Sequence, residues 1–329
     1  MDIEKLTREK GHLIDKELNA IFAKDGISGL HDAVWYHMST GGKRLRPLLA
    51  IITYEALMNG KGDKRVLPFA AACELLHNWF LVHDDIEDGD LVRRDKPAVW
   101  VKYGLAHGVN VGDYMAQKVY ELVLRSKEYG VDDDAIIKLV DAMVTASVRT
   151  SEGQAMDINM RSTSPSEKDY MSMVMAKTGH YLTITMIGAA ILANREEIIP
   201  HLIEFGSYIG PAFQITDDLL DLTEGKGRGE IGRDIKEGKK SIIVIHCLSK
   251  CNNDESKHLL DILNKSPEET TGKEVAFAIS LFGKYGSIEY ARQKSEELKS
   301  KAMSSIEKLP LELHGLLNFF ADYLVKRRK

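Results

Sequence analysis

Leu75-Leu76-His77-Asn78-Trp79-Phe80-Leu81-Val82-His83-Asp84-Asp85-Ile86-Glu87-Asp88 carries an apolar run into an acidic cluster, and Phe213-Gln214-Ile215-Thr216-Asp217-Asp218-Leu219-Leu220-Asp221 does so again. Both stretches have helical rather than alternating periodicity. Each cluster has the spacing D-D-x-x-D. Four residues advance a helix by about 400° and about 6 Å. Asp84 and Asp88 therefore share one face, as do Asp217 and Asp221, with Asp85 and Asp218 beside them. Like charges so placed repel, and a cation offsets the repulsion. Carboxylates without cysteine neighbours favour a hard ion, Mg²⁺ or Mn²⁺, over Zn²⁺. Two such clusters suggest two walls of a cavity where metal bridges protein to a phosphorylated substrate.

Working outward, the helical period runs through nearly the whole chain. Beyond 66–88 and 196–222, helices are expected over roughly 30–39, 45–59, 107–129, 133–158, 167–193, 240–250, 255–264, 272–283, 287–308 and 311–326, after a first amphipathic helix through Ile3, Leu6, Leu13, Leu18 and Ile21. Turn signals separate them at 59–62, 129–130, 162–166 and 225–238. Pro211 falls inside a helical pattern and predicts a kink before the second cluster. The runs 66–83 and 196–222 are apolar on more than one face, as central helices are. The expected fold class is all-α: a single-domain antiparallel helical bundle over residues 1–329, with a central active-site cavity.

Of the 329 residues, 44% are hydrophobic and 28% charged, which is ordinary globular composition. A net charge of −5 argues against a nucleic-acid binder. Cys73, Cys247 and Cys251 form no C-x-x-C pair, so neither a zinc ribbon nor a disulfide framework is indicated. The first residues lack the apolar core of a signal peptide, and no apolar stretch is long enough to span a bilayer. A cytoplasmic protein without stable membrane insertion is expected.

Cations accompany the carboxylates. Gly41-Gly42-Lys43-Arg44-Leu45-Arg46-Pro47 sets basic side chains at a helix start, where backbone N–H groups also favour anions. Arg93-Arg94 follows the first cluster. Lys177 stands beside Thr178-Gly179, and Lys239-Lys240 follows a glycine-rich run. Together they read as two anion sites, one metal-bridged and one metal-free.

These stretches, in this order, resemble the trans-isoprenyl diphosphate synthases of the polyprenyl synthetase family. The resemblance rests on G-G-K-R-L-R-P (41–47), L-L-H-N-W-F-L-V-H-D-D-I-E-D (75–88), R-R-D-K-P (93–97), K-T-G (177–179), F-Q-I-T-D-D-L-L-D (213–221) and E-G-K-K (237–240). It implies a short-chain prenyltransferase that joins isopentenyl diphosphate to an allylic diphosphate with Mg²⁺, or Mn²⁺ in its place. By the same resemblance Asp84, Asp88 and Asp217 bind metal, with Asp85, Asp218 and Asp221 coordinating or supporting. Arg93, Lys177 and Lys239 hold the allylic diphosphate. Gly42, Lys43, Arg46, His77 and Arg94 hold isopentenyl diphosphate, and Thr178 and Gln214 lie close to the allylic carbon. A homodimer is also implied. Asp95 and Glu230 depart from the family pattern, which commonly has glycine and lysine there. Lys226 or Arg228 is the available substitute for the missing lysine.

Trp79 and Phe80 lie five and four residues before Asp84, about one helical turn of 5.4 Å below it. A growing chain would meet them first, and core packing is the plainer role for both. His83 reads as structural. Paired aromatics here, and the basic tail Lys326-Arg327-Arg328-Lys329, resemble eukaryotic farnesyl diphosphate synthases. A C15 product is expected, with C20 as the alternative. A terpene cyclase shares D-D-x-x-D but needs no second diphosphate site. A non-catalytic synthase subunit usually loses acidic residues from these clusters, and this chain retains them.

Overall fold

The structure is a computed structural model that describes residues 3–22, 26–42, 44–223 and 231–326. The chain runs through α1 (Ile3–Ile21), α2 (His31–Ser39), α3 (Leu45–Leu57), α4 (Leu67–Glu87), a small hairpin β1–β2 (Val92–Arg93 and Lys96–Pro97), α5 (Val99–Tyr103), α6 (Leu105–Leu124) and α7 (Asp133–Arg161). It continues through α8 (Glu167–Val174), a π-helical turn (Met175–Gly179), α9 (His180–Leu192), α10 (Ile199–Asp221), α11 (Arg233–Lys236), α12 (Ile242–Lys250), α13 (Asn253–Leu263), α14 (Gly272–Lys284), α15 (Ser287–Ser305) and α16 (Leu311–Lys326). The all-α class expected from the periodicity holds, and Ser241–His246 lies at the start of a helix, α12. Two compact units emerge. One holds Met1–Ser147, Leu182–Leu202 and Leu309–Leu316, the other Val148–Tyr181, Ile203–Lys308 and Leu317–Lys329.

In the first unit α4 is the central helix. Pro68 suits its first turn, where no N–H is needed. Every residue from Leu67 to Leu76 is buried, so the helix is covered on all sides. It stops just after the acidic cluster. Gly89 takes φ +65°, its N–H reaches the Ile86 carbonyl, and the Asp90 N–H reaches back to the Asp85 carbonyl at 2.8 Å. That is a Schellman closure, and it needs glycine at the left-handed position. Helix α6 packs tightly along α4 because Gly108 and Gly112 carry no side chains. A Cβ on Gly112 would lie 2.0 Å from His83 Nε2.

The hairpin is a departure from the purely helical expectation. Val92 pairs with Pro97 and Arg93 with Lys96, while Arg94 and Asp95 take φ 53° and 60°. Two successive left-handed residues match the twist of a tight hairpin turn. Asp95 thus occupies a conformation that glycine adopts without strain.

In the second unit the expected continuous helix 167–193 is interrupted. Ser166 and Asp169 form a capping box at the start of α8. The following turn then widens to π geometry across Met175–Gly179, a distortion frequent at functional sites. Close contacts surround this turn. A Cβ on Gly153 would sit 2.3 Å from the Lys177 backbone nitrogen, and one on Gly210 would sit 2.6 Å from Gly179 Cα. Helix α10 continues past Pro211 to end on Asp221.

Candidate active site

The first unit gathers basic side chains around the start of α3. Arg44 takes φ 49°, and its guanidinium donates to Glu74 Oε1 at 2.7 Å. Asn78 donates to the same oxygen at 3.1 Å and to the Glu74 carbonyl at 2.8 Å. With its amide nitrogen so engaged, Asn78 Oδ1 accepts from His37 Nε2 at 3.1 Å. Glu74, Asn78 and His37 are all at least 98% buried. Sequence reading missed this network. Its signal is a Glu and an Asn four apart in a fully apolar helix, since such groups are seldom buried unpaired.

Arg94 turns toward the same loop. Its Nη1 donates to the Gly41 carbonyl and to Thr40 Oγ1, the latter at 3.2 Å. Gly42 lies against the guanidinium, 3.2 Å from where its Cβ would be. His77, half-buried on α4, is held well below the usual histidine pKa by burial, then by Arg46, Arg94 and Arg93. The neutral ring leaves the positive charge on the arginines, which do not titrate. Gly42, Arg46, His77 and Arg94 are thus drawn together as expected, and Lys43 lies outside the described residues.

Burial pushes the His37 pKa down to about 3, with Arg94 and Arg93 adding to the effect. The unfolded chain binds this proton near pH 6.5, so His37 favours the fold fully above that pH. The contribution is lost as pH falls from 6.5 toward 3. It amounts to about 5 kcal/mol, an order-of-magnitude figure. Urea melts between pH 7 and 4 should show a steep loss of stability that His37→Gln flattens. An equal slope in the variant would assign the acid sensitivity elsewhere.

The first acidic cluster occupies the C-terminal turn of α4, where the helix dipole is already negative. Arg93 answers part of that charge. Its Nε donates to Asp85 Oδ1 at 2.6 Å, its Nη2 contacts Asp85 and reaches Asp90 Oδ2 at 3.1 Å, and Asp84 Oδ2 lies at 3.8 Å. The hairpin therefore splits the arginine pair, Arg93 to the carboxylates and Arg94 to the glycine loop. Asp85 is fully buried, and its Oδ2 makes no hydrogen bond. Burial raises its pKa to about 7 against the pull of Arg93, with Asp90 and Asp84 adding to the rise. One turn below, the Trp79 and Phe80 rings stack at 4.7 Å and 16°. Trp79 Nε1 donates to His83 Nδ1 at 3.3 Å.

The second unit carries a different set. Lys177, in the π-helical turn, pairs with Asp157 at 2.8 Å. The Thr178 hydroxyl donates to Gln214 Oε1 at 3.1 Å, and Gln214 Nε2 donates to Asp218 Oδ1 at 3.0 Å. Buried Tyr170 donates to Asp218 Oδ2 at 2.7 Å. Burial and then the Asp218 charge hold the Tyr170 phenol far above its usual pKa, so it stays a donor. This relay fixes the amide of Gln214 with its carbonyl toward Thr178. Asp221 is fully buried, and its Oδ2 accepts from the Asp234 N–H at 3.1 Å. Lys239 pairs with Glu237 at 2.6 Å and lies 3.6 Å from Asp234. Asp157, Tyr170 and Glu237 were not found from sequence, because their partners are not set by local spacing. Lys226, Arg228, Glu230 and the tail residues 327–329 lie outside the described residues.

The donor chemistry fits a hard divalent cation. Every acidic group in question offers carboxylate oxygen, and buried Asp85 Oδ2 is an acceptor still lacking a donor. Within the first unit Asp84, Asp85 and Asp88 offer such oxygens at the end of α4, and within the second Asp217, Asp218 and Asp221 offer them at the end of α10, where Asp218 and Asp221 also bond to protein groups.

Comparison with known proteins agrees with this chemistry. The family model described as "Polyprenyl synthetase" matches residues 28–280. A "Short chain isoprenyl diphosphate synthase" of Methanocaldococcus jannaschii is 41% identical over 284 residues, covering 85% of this chain and 83% of that protein. A "Geranylgeranyl diphosphate synthase" of Sulfolobus acidocaldarius is 35% identical and covers 93% of this chain and 94% of its own. The crystal structure of geranylgeranyl pyrophosphate synthetase from Pyrococcus horikoshii superposes with a TM-score of 0.87 at 33% identity, covering 99% of this chain and 98% of that one. Motifs, fold and relatives agree, and the chain belongs to the polyprenyl synthetase family, among its short-chain isoprenyl diphosphate synthases.

Proposed function

We propose that this protein condenses isopentenyl diphosphate with the allylic diphosphates dimethylallyl and geranyl diphosphate, and that its main product is farnesyl diphosphate, C15. The carrying observation is the first unit's basic group, Gly42, Arg46, neutral His77 and Arg94, which suits a second diphosphate beside the one that the carboxylates would hold through metal. A cyclase, which ionises one substrate only, has no use for it. Lys43 joins this group by sequence position.

Arg93, Lys177 and Lys239 take the allylic diphosphate. Asp84 and Asp88 with Asp85 in the first unit, and Asp217 with Asp218 and Asp221 in the second, would hold Mg²⁺, which when bound neutralises the departing oxygens. The allylic C–O bond breaks and its electron pair leaves with diphosphate. Thr178 and Gln214 present oxygen dipoles to the allylic cation, and the Tyr170–Asp218 pair keeps the Gln214 amide from turning its N–H₂ inward. The isopentenyl double bond attacks, forming the new C–C bond. A proton leaves to restore an alkene, and released diphosphate accepts it.

A single domain over residues 1–329 remains the proposed organisation. A second copy of the chain is the proposed partner. Val101, Leu105, Val109, Leu124, Ile137 and Val144 leave exposed apolar surface on α5, α6 and α7 that suits a dimer contact. Among the described residues no helix is long and apolar enough to cross a membrane.

The stacked Trp79–Phe80 pair supports the C15 assignment. The C20 reading is favoured by relatives named for geranylgeranyl diphosphate. Incubation with both substrates and Mg²⁺, followed by dephosphorylation and chromatographic sizing of the prenyl alcohols, separates the two. Trp79→Ala and Phe80→Ala should each move the main product up by at least one isoprene unit. If neither lengthens it, the aromatics are not the floor.

A further inference from the structure

Resting on that reading of Trp79 and Phe80, we propose that His83, set in place by α6, is a positioning residue that fixes the Trp79 ring and so helps to determine product length. The indole and the imidazole lie one turn apart on α4. Trp79 Nε1 donates to His83 Nδ1 at 3.3 Å. The other imidazole nitrogen, Nε2, lies 3.3 Å from the Val109 carbonyl of α6. An accepting Nδ1 leaves the proton on Nε2, which then donates to that carbonyl. The ring therefore links the floor of the site to the neighbouring helix. Asp113 Oδ1 lies 3.7 Å from Nε2.

Space for the ring comes from Gly112. A Cβ there would meet His83 at 2.0 Å from Nε2, 2.2 Å from Cδ2 and 2.8 Å from Cε1. Any side chain at this position must displace the imidazole and withdraw the acceptor from Trp79. Gly108, one turn earlier, permits the same close approach beside Ile86 and Trp100. A half-buried indole with no fixed polar end can swing about its side-chain torsions. Here the N–H bond fixes one edge and the Phe80 stack, at 4.7 Å, fixes its face. Length control is thus distributed over two helices, with Gly112 acting on a chain end that it does not touch.

The test uses the full-length protein with isopentenyl and geranyl diphosphates and Mg²⁺, sizing the alcohols from Gly112→Ala, His83→Ala, His83→Gln, Trp79→Phe and Trp79→Ala. Gly112→Ala and His83→Ala should raise the ratio of longer to C15 product by about fivefold, the scale of one net hydrogen bond. His83→Gln, which restores an acceptor oxygen, should return most of it. Trp79→Phe should add little once His83→Ala is present, since both remove the same bond. Should Gly112→Ala fail to fold, the His83 and Trp79 variants decide alone. If Trp79→Ala lengthens the product while His83→Ala leaves it unchanged, the anchor is wrong and the floor stands. If Trp79→Ala also leaves the product unchanged, Trp79 is not part of the floor and the anchor fails with it.

Discussion

Asp84→Ala should lower kcat/KM by about three orders of magnitude or more, the loss expected when metal-assisted departure of a leaving group is crippled. It should do so without weakening the fold. Asp84 lies in the last turn of α4 beside Asp85 and Asp88, at the negative end of the helix dipole. Among the described residues Arg93, which also pairs with Asp85 and Asp90, stands 3.8 Å from Asp84. Removing Asp84 relieves like-charge repulsion, so metal-free protein should melt at the same temperature or slightly higher. It should also let Asp85, now raised to about 7, titrate at lower pH, because Asp84 is one cause of that rise. Loss of activity together with retained stability marks a residue kept for the ligand rather than the fold. A rate loss below tenfold would remove Asp84 from the metal set.

Glu74→Ala is expected to act in the opposite sense, first on stability. It leaves the Arg44 guanidinium, 13% exposed, without its closest carboxylate and deprives Asn78 of an acceptor. Breaking a buried pair from one side costs about 3–5 kcal/mol. Glu74→Gln keeps an oxygen for Arg44 and should cost roughly half as much or less. Arg44 stands at the start of α3, next to Arg46, so a residual folded fraction should show a raised KM for isopentenyl diphosphate more than for the allylic substrate. Urea unfolding reads the first effect and steady-state kinetics the second. A stability change under 1 kcal/mol would mean the network does not hold the start of α3.

The helices were legible because apolar spacing reports them directly, as in α4 and α10. The acidic clusters and their cations were legible because each lies within a few residues of a recognisable spacing. Other features depend on groups far apart in sequence. Asp157 beside Lys177, and Tyr170 and Gln214 on Asp218, are partners that no local spacing announces. The π-helical turn at Met175–Gly179 adds a residue to one turn without disturbing the apolar pattern, so periodicity passes over it. The hairpin at Arg94-Asp95 lacks the glycine that usually announces such a turn. Gly108 and Gly112 carry no local signal, and only Trp100 and Ile86 beside the first and the ring of His83 beside the second give them meaning. The grouping of helices into two units is likewise a matter of contacts that no local pattern encodes.

The central claim is that this chain alone joins two diphosphate substrates by releasing one diphosphate. Single-turnover mixing of the purified protein with geranyl and isopentenyl diphosphates, with and without Mg²⁺, tests it most directly. One diphosphate should be released for each linear C15 chain formed, only with Mg²⁺ and only when both substrates are present. Release from geranyl diphosphate alone with a cyclic product, or no release without a second protein, would contradict it.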